Sequence, residues 1–527
     1  MKSKVNTIVS SLVIKLALII VINLVASFLY LRLDFSKGRM YSLGRASKEA
    51  VRTLEDNFIV KVYATPNLPA DFQRLDRYLK DLLGEYNLNS RNRFRFEYVR
   101  FTNADEFRTI VASNNLRYNV VPTYENDQMA FREVVYGITF EYKDTRQSMN
   151  LSMAMESRLE YEITTTIQSM SRKESQEIAV FRDSTYSYMN SDGFERALSR
   201  HYKVHATDLN YIPNHVKVML FTGVVDSLSV NQMYQIDQFL MHGGKLVVLQ
   251  ERIPVYWEPL REIESNFFDL MKHYGVNIHR NMVLDLNCDI QSMGMYDRVP
   301  YPMFPITSGT KNSIVAKDMN YIVMYIASQI STVNDSLAHK LIPQITTSHT
   351  SAILSGPTYD LESYVMRRPT PDMFPLPPQT VAALYKSDLI SYFETQNYPL
   401  PQNYRSSVKG AEIMFFGDRE LVVETEHPLY GTRWYAVLNA LDYFLDNDSM
   451  IKIRSRSIRG SSFNLRNFLS SFDNLQTDLT ELEQSLKTLI KSISIALPTL
   501  LLIFTGILVF LRYKAYRKRI KESYEKA

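Results

Sequence analysis

The residue best suited to covalent chemistry in this sequence is Cys288, the single cysteine among 527 residues. A cysteine becomes a nucleophile when a nearby cation or base lowers the pKa of its thiol. The surrounding segment LDLNCDI contains no residue that would do this. A buried structural thiol is therefore the favoured interpretation, and a hydrolase or amidotransferase that uses Cys288 is the alternative.

Several aspartates stand at predicted strand ends or helix starts, where capping and turn roles account for them: Asp183, Asp237, Asp285 and Asp418. Asp183 and Asp285 would lie nearest to a pocket at the carboxyl ends of a parallel sheet. We therefore take these two as candidate pocket residues, and we do not predict that either is catalytic.

The familiar motifs of metal and nucleotide binding are missing. Gly309-Thr310-Lys311 lacks the upstream glycine of a P-loop, and Gly243-Gly244-Lys245 is followed by a leucine. Histidines occur singly, without the spacing of metal ligands: His201, His205, His215, His242, His273 and His279. The sequence predicts no catalytic residue, no metal, no cofactor and no ATP binding through a P-loop.

The charge balance argues against nucleic acid as a partner. Lysine and arginine number 60 against 56 aspartates and glutamates, which gives a net charge of +4. Without its basic carboxyl-terminal tail the chain is near neutral, so it offers no electrostatic attraction for a phosphate backbone. A hydrophobic fraction of 45% is ordinary for globular domains and sufficient for packed cores.

Two apolar segments bracket the chain, at 16–31 and 493–511, and the second has 19 residues without a charge. A helix of about 20 apolar residues crosses a bilayer core, so we predict transmembrane helices within 1–33 and at 493–511. The basic tail 512–527 is predicted to be cytoplasmic. The prediction is a two-pass inner-membrane protein, both termini inside and its main domains periplasmic. A cleaved signal peptide is the alternative for the first segment.

Residues 34–172 show strand and helix patterns in the order β-α-β-α-β-β-α. The strand FIVKVYAT at 58–65 and the strand RFRFEYVR at 93–100 flank an amphipathic helix at 71–88. This order predicts a thioredoxin-like α/β layer sandwich. Because the region has no Cys-x-x-Cys pair, redox chemistry is not expected.

Residues 173–460 alternate strands with helices, a pattern typical of a parallel sheet. The strands VAALYK and AEIMFFGD are expected to extend that sheet, 319–330 to be helical and MIKIRSR at 450–456 to be a strand. Residues 356–379 form a proline-rich surface excursion.

A heptad pattern fills 461–492, where apolar residues alternate at spacings of three and four. The candidate coupling helix is marked by Leu475, Leu479, Leu482, Leu486 and Leu489. A seam of this kind can pair with a partner helix or pack on its own domain, and the sequence leaves both open. A stiff helix here could carry motion between the 493–511 segment and the folded domains.

Ordered strings along the whole chain resemble GldG-type proteins, auxiliary components of ABC transport systems linked to gliding motility. They are RMYSLGRASKEAVRTLE, KVYATPNLPADFQRLDRYLKDLLGEY, LEYEITTTI, YQIDQFLMHGGKLVVL, YGVNIHRNMVLDL and VLNALDYFLDNDSMIKIRSRSI. The resemblance implies an amidotransferase-like central domain without its catalytic cysteine, beside a separate ATPase and a separate permease.

Three functions are therefore open. The leading one is a non-catalytic, double-anchored auxiliary subunit that binds a ligand or envelope partner and couples it to the permease and the ATPase. The second is a structural cell-envelope adaptor without transport. The third is the Cys288 enzyme.

Overall fold

The computed structural model describes residues 42–458 apart from gaps at 67, 100–103, 126–127, 173–174, 184–190, 255–259, 294–296, 318, 366–368, 397, 400 and 424–432. Beyond residue 458 it describes Ser492, Gly506, Leu511, Arg512, Lys514 and Ala515. The chain divides into two compact units, Met1–Arg459 and Gly460–Ala527. All elements named below belong to the first unit, which is a mixed α/β structure.

The described residues from 42 to 171 build a four-stranded sheet with helices against it. The elements are α1 (Arg45–Arg52), β1 (Phe58–Ala64), α2 (Ala70–Asn89), β2 (Phe94–Val99), α3 (Ala104–Ser113), β3 (Asn119–Glu125), β4 (Gln128–Val134), β5 (Tyr136–Tyr142), β6 (Thr145–Asn150) and α4 (Leu159–Ser171). The sheet order is β2-β1-β5-β6, with β1 parallel to β2 and antiparallel to β5. β3 and β4 pair as a hairpin.

Alternation explains why this sheet forms. Phe58, Val60 and Val62 of β1 point to one buried face. Leu75 and Leu79 of α2 recur at helical spacing and pack in the same cluster. The strands and helix predicted here from sequence are thus observed, within a few residues of the predicted bounds.

The remaining elements begin at residue 177. They are β7 (Glu177–Phe181), α5 (Asp192–His201), β8 (Lys203–Thr207), β9 (Val218–Phe221), α6 (Val230–Met241), β10 (Lys245–Leu249), α7 (Phe267–His273), β11 (Val276–Ile278), β12 (Asn281–Asp285), β13 (Cys288–Met293), β14 (Asp297–Gly309), β15 (Ile322–Val323), β16 (Ile330–Thr332), β17 (Leu341–Thr346), β18 (Ser351–Ser355), α8 (Glu362–Val365), β19 (Thr380–Ile390), β20 (Ser407–Phe416), α9 (Tyr435–Phe444) and α10 (Asp448–Ile458). Single 3-10 turns lie at Met153–Arg158, Asp335–Lys340, Pro371–Met373, Tyr392–Thr395 and Glu420–Val422.

One large mixed sheet organises this second part. Its order is β13-β14-β17-β19-β20-β10-β9-β7-β8, with β15 on β14. The strands from β8 to β20 run parallel, whereas β19, β17, β14 and β13 continue the sheet in antiparallel pairs. β19 and β20 extend the sheet as predicted, but the predicted parallel arrangement holds for only half of it.

Helices cover both faces of the parallel half, and its central strands β9 and β10 are almost entirely apolar. Val218 and Leu220 of β9 pack with Leu438 and Leu441 of α9 on one face. Met219 of β9 packs with residues of α6 and α7 on the other. The central strands are buried on both sides and hold the residues that follow them in fixed positions.

Two predicted elements are wrong. The expected helix at 319–330 is not formed, and the segment contains β15 and the first residue of β16 instead. The β-branched residues Ile322 and Val323 pair with the preceding strand β14. The expected strand at 450–456 lies in the helix α10. Its buried residues are Met450, Ile451, Ile453, Arg454 and Ser455. Ile451 and Ile453 alternate as in a strand, whereas Met450, Ile453 and Arg454 recur as on a helix, and a segment this short does not distinguish the two periods.

The prediction of two transmembrane helices is also wrong, and with it the two-pass inner-membrane location. Within the described part of the chain, no helix combines the length and the apolar character that crossing a bilayer requires. The helix α2 is long enough at 20 residues, but aspartates, arginines, a lysine and a glutamate run through it. The segments that suggested the spans lie outside the described residues, except Gly506 and Leu511.

Candidate functional site

The parallel strands β7, β9, β10 and β20 all end at the same side of the large sheet. Ligands of open α/β sheets bind outside the carboxyl ends of such strands. Here the residues that follow these ends are mostly charged: Asp183, Glu251, Arg252, Asp418, Arg419 and Glu420. We call this set, with Gln250 and Arg433, the carboxyl edge.

Two side chains fix the loop that follows β9. Asp183 Oδ2 accepts a hydrogen bond from the N–H of Val225 at 2.9 Å. Gln250 accepts from the N–H of Val224 at 2.7 Å and donates to its carbonyl at 3.1 Å. Gly223 has a φ of 85°, and a Cβ there would lie 2.8 Å from a backbone oxygen, so the turn requires glycine. The predicted pocket residue Asp183 therefore holds backbone in place.

A buried ion pair stands beside that loop. Arg419 Nε lies 2.6 Å from Glu251 Oε1, and the two side chains are 1% and 0% exposed. Glu251 Oε2 also accepts the backbone N–H of Arg419 at 3.1 Å. Burial raises the pKa of Glu251 to about 7, against the lowering effect of the Arg419 charge. The pair joins the segment that follows β10 to the segment that follows β20.

Asp418 is the second buried carboxylate of the carboxyl edge. It accepts hydrogen bonds from the N–H of Tyr325 at 2.8 Å and from the N–H of Glu420 at 2.7 Å. Burial raises the pKa of Asp418 to about 6. Because both of its oxygens receive backbone hydrogen bonds, this carboxylate shapes the loop rather than facing a substrate.

Two arginines complete the carboxyl edge. Arg252 is 1% exposed, and its guanidinium lies 3.7 Å from the centre of the Phe268 ring. Burial lowers the pKa of Arg252 to about 10. Arg433 lies 4.3 Å from the centre of the Tyr325 ring and donates to the carbonyl of Glu420 at 2.7 Å. Aromatic faces hold these cations in the interior.

The second predicted pocket residue lies elsewhere. Asp285 ends β12, which pairs with β18 in a separate two-stranded sheet. Its carboxylate accepts from the N–H and the hydroxyl of Ser348, both at 2.6 Å, and from the N–H of Asn287 at 2.8 Å. Burial raises the pKa of Asp285. The structure places Asp183 and Asp285 on different sheets, and their role in a pocket stays a prediction.

Cys288 opens β13 and is buried. Burial raises the pKa of its thiol to about 11. A pKa this high keeps the thiol protonated at neutral pH, which is the opposite of what a nucleophilic cysteine needs.

We therefore expect Cys288 to react slowly with a thiol reagent such as iodoacetamide in the native protein. A free cysteine has a pKa near 8.5, so the thiolate fraction at neutral pH should be lower by roughly 300-fold. The measurement is the labelling rate with and without denaturant, followed by mass spectrometry. Labelling of the native chain as fast as of the unfolded chain would contradict the inert-thiol interpretation.

A third arrangement lies near the outer strand β8. Glu177 begins β7, His205 lies in β8 and His215 precedes β9. One ligand atom from each lies within 4.8 Å of the others, so these residues could hold a metal ion. Their spacing along the chain gives no sign of this. The parallel register, which pairs Ala179 with His205, decides the proximity.

The candidate coupling helix lies outside the described residues. Leu475, Leu479, Leu482, Leu486 and Leu489 therefore stay a prediction from the heptad pattern.

Comparison with known proteins gives two matching family models. One, described as ABC-type uncharacterized transport system, matches residues 175–440. The other, a domain of unknown function named DUF7088, matches residues 37–141. No curated protein matches the sequence.

Solved structures show only distant similarity. The mmIFT52 N-terminal domain is 10% identical with a TM-score of 0.32, over 51% of this chain and 96% of that domain. A catalytic mutant of Gan42B, a GH42 beta-galactosidase from G. stearothermophilus, is 10% identical with a TM-score of 0.26, over 56% of this chain and 34% of that one. Neither likeness is close enough to support an argument about function.

Proposed function

We propose a function that follows from one premise: this chain belongs to the auxiliary family of ABC-type transport systems. It is a non-catalytic subunit that works beside a separate ATPase and a separate permease. The resemblance to GldG proteins makes the finer proposal a GldG-like system linked to gliding motility. In this role regions 34–172 and 173–460 bind a ligand or another protein, and the chain couples that binding to its partners.

The family match over residues 175–440 carries this proposal, because it takes in the large sheet from β7 to β20. The carboxyl edge supports the proposal that the subunit is non-catalytic. The carboxylates of Asp183, Glu251 and Asp418 are bound to backbone N–H groups or to arginine. Side chains committed in this way fix a structure and are poorly placed to act on a substrate.

A buried contact between region 34–172 and region 173–460 supports the proposal that ligand binding is coupled to the partners. Arg454 of α10 donates to Asp442 of α9 at 2.8 Å and to the hydroxyl of Tyr161 in α4 at 3.3 Å. This buried bridge ties region 34–172 to region 173–460. Regions joined by a buried polar bridge can move together when a ligand binds to one of them.

The test is crosslinking of the tagged full-length chain in its native cells, followed by purification and mass spectrometry. We expect one ATPase that carries a P-loop and one permease, each in a fixed ratio to the chain. A Cys288→Ala variant is the matched control, and it should recover the same partners and support the same transport. Recovery of the chain without an ATPase, or loss of transport in Cys288→Ala, would count against the proposal.

A further inference from the structure

The group of Glu177, His205 and His215 is built around one oxygen atom. Glu177 Oε2 lies 2.6 Å from His205 Nε2 and 2.7 Å from His215 Nε2. The two imidazole rings are 5.1 Å apart and nearly perpendicular, at 78°. Both histidines thus present the same nitrogen to the same carboxylate oxygen. Three donor atoms of the types that transition metals prefer converge from three segments of the chain.

The two oxygens of the Glu177 carboxylate have different neighbours. Oε1 accepts a hydrogen bond from Lys203 Nζ at 2.9 Å, and Oε2 faces both histidines. Oε2 is therefore the oxygen that would bind an ion held by the two imidazoles.

We propose that Glu177, His205 and His215 form a binding site for one divalent transition-metal ion, with zinc the best fit. Zinc accepts two imidazole nitrogens and a carboxylate oxygen at about 2.0–2.2 Å. In a tetrahedral site these bond lengths put ligand atoms roughly 3.3 Å apart. The present separations of 2.6 and 2.7 Å would need to open by roughly 0.6–0.7 Å to admit the ion.

Three protein ligands leave one position of a tetrahedral ion open. Water fills such a position by default, and zinc sites with an open position differ in this way from closed structural sites with four protein ligands. His215 is the most exposed of the three, with 59% of its side chain accessible against 26% for His205 and 28% for Glu177. An ion bound here would therefore be reached from solvent.

Lys203 competes with the proposed ion. Its Nζ lies 2.9 Å from Glu177 Oε1, and 60% of its side chain is exposed. The ammonium neutralises the same carboxylate that the metal would use and would be repelled by a bound cation. Its long, exposed side chain can swing into solvent, so binding remains possible at a cost. Removing this ammonium should therefore strengthen the binding of an ion by Glu177 and the two histidines.

The test uses equilibrium dialysis of the full-length chain with Zn²⁺, and the visible spectrum of Co²⁺ as a report on coordination. We expect one zinc per chain and the intense absorption of four-coordinate Co²⁺. His205→Gln and His215→Gln should each weaken zinc binding more than tenfold and abolish that absorption. Lys203→Gln should strengthen binding several-fold.

His339→Gln is the matched control, because His339 is an exposed histidine in another part of the fold. It should leave zinc affinity unchanged, and zinc should raise the melting temperature of the wild type and of this control but not of His205→Gln. All three site residues are partly exposed, so circular dichroism can verify that the variants fold. Zinc bound as tightly by His205→Gln as by the wild type, or no zinc bound by the wild type, would overturn the proposal.

Discussion

Replacing Arg454 with methionine should destabilise the protein by about 3–5 kcal/mol, the usual cost of removing one partner of a buried ion pair. Arg454 and Asp442 are 0% and 1% exposed, with Nη2 and Oδ2 2.8 Å apart. Without the guanidinium, the Asp442 carboxylate stays in the interior with its countercharge gone. The variant keeps a long apolar side chain, so the loss of charge dominates over the loss of packing.

The surroundings of Arg454 make this loss hard to offset. Tyr202 donates to Asp442 at 2.8 Å, and the hydroxyl of Tyr161 lies 2.6 Å from His201 Nε2. Burial, together with the nearby Arg454 charge, holds the pKa of His201 well below its usual range. This histidine is therefore neutral in the wild type, and burial, the larger cause of its lowered pKa, still disfavours a charge on it in the variant.

The measurement for this prediction is the urea midpoint followed by circular dichroism. Arg45→Met is the matched control, because Arg45 pairs with Glu49 on the surface at 2.7 Å with 83% of its side chain exposed. Surface pairs contribute little, so the control midpoint should stay where it is. Equal midpoints for Arg454→Met and the wild type would show that the buried bridge does not stabilise the fold.

Replacing Arg419 with methionine should lower the free energy of unfolding by a similar amount, about 3–5 kcal/mol at pH 8. The decrease should be clearly smaller at pH 5. The reason is the carboxyl of Glu251, because burial in the folded protein raises its pKa from the ordinary value of 4.5 to about 7. At pH 5 this carboxyl is protonated and does not need the arginine charge. At pH 8 the wild-type carboxyl is ionised beside Arg419. In the variant it must either stay ionised and buried without its partner or take up a proton at a pH far above its unfolded pKa, and both cost free energy.

The same carboxyl gives the wild type a pH dependence whose sign is fixed. Its folded pKa lies above its unfolded pKa, so its contribution to stability is complete below pH 4.5 and is lost as the pH rises to about 7. The loss is on the order of 3 kcal/mol at 1.36 kcal/mol for each pKa unit. Asp418 contributes in the same direction, because burial raises its pKa from 3.8 to about 6.

Melting temperatures between pH 5 and pH 8 test this prediction. Glu251→Gln should flatten the fall in stability, because the amide does not ionise. Arg419→Met combined with Glu251→Gln should be more stable at pH 8 than Arg419→Met alone, since both members of the pair are then neutral. An Arg419→Met variant with the same deficit at both pH values would contradict the role assigned to Glu251.

How far the sequence predicts this structure depends on the range of the interactions. The strands β1, β9 and β10 could be predicted because their apolar patterns are local. The expected helix at 319–330 was wrong because β15 is formed by pairing with β14, and a strand of two residues leaves no periodic pattern of its own in the sequence. A seven-residue segment such as 450–456 fits both periods.

The candidate sites show the same limit more strongly. Asp183 could be placed at the carboxyl end of its strand, since that follows from the strand itself. Asp285 could not, because the pairing of β12 with β18 takes it out of the large sheet. The convergence of Glu177, His205 and His215 depends on the register between β7 and β8, which composition and spacing do not encode.

The two outer strands of the large sheet have a consequence for the protein at high concentration. β8 and β13 stand at the two ends of the described strand order of the large sheet. An unpaired strand flank is a template on which another chain can add and start aggregation. Lys203 puts a charge on β8, and the register of β13 is broken between Cys288 and Asp289. The charge on β8 and the irregular register of β13 both make it unfavourable for another chain to pair with these strands. The large sheet can therefore have many strands without promoting aggregation.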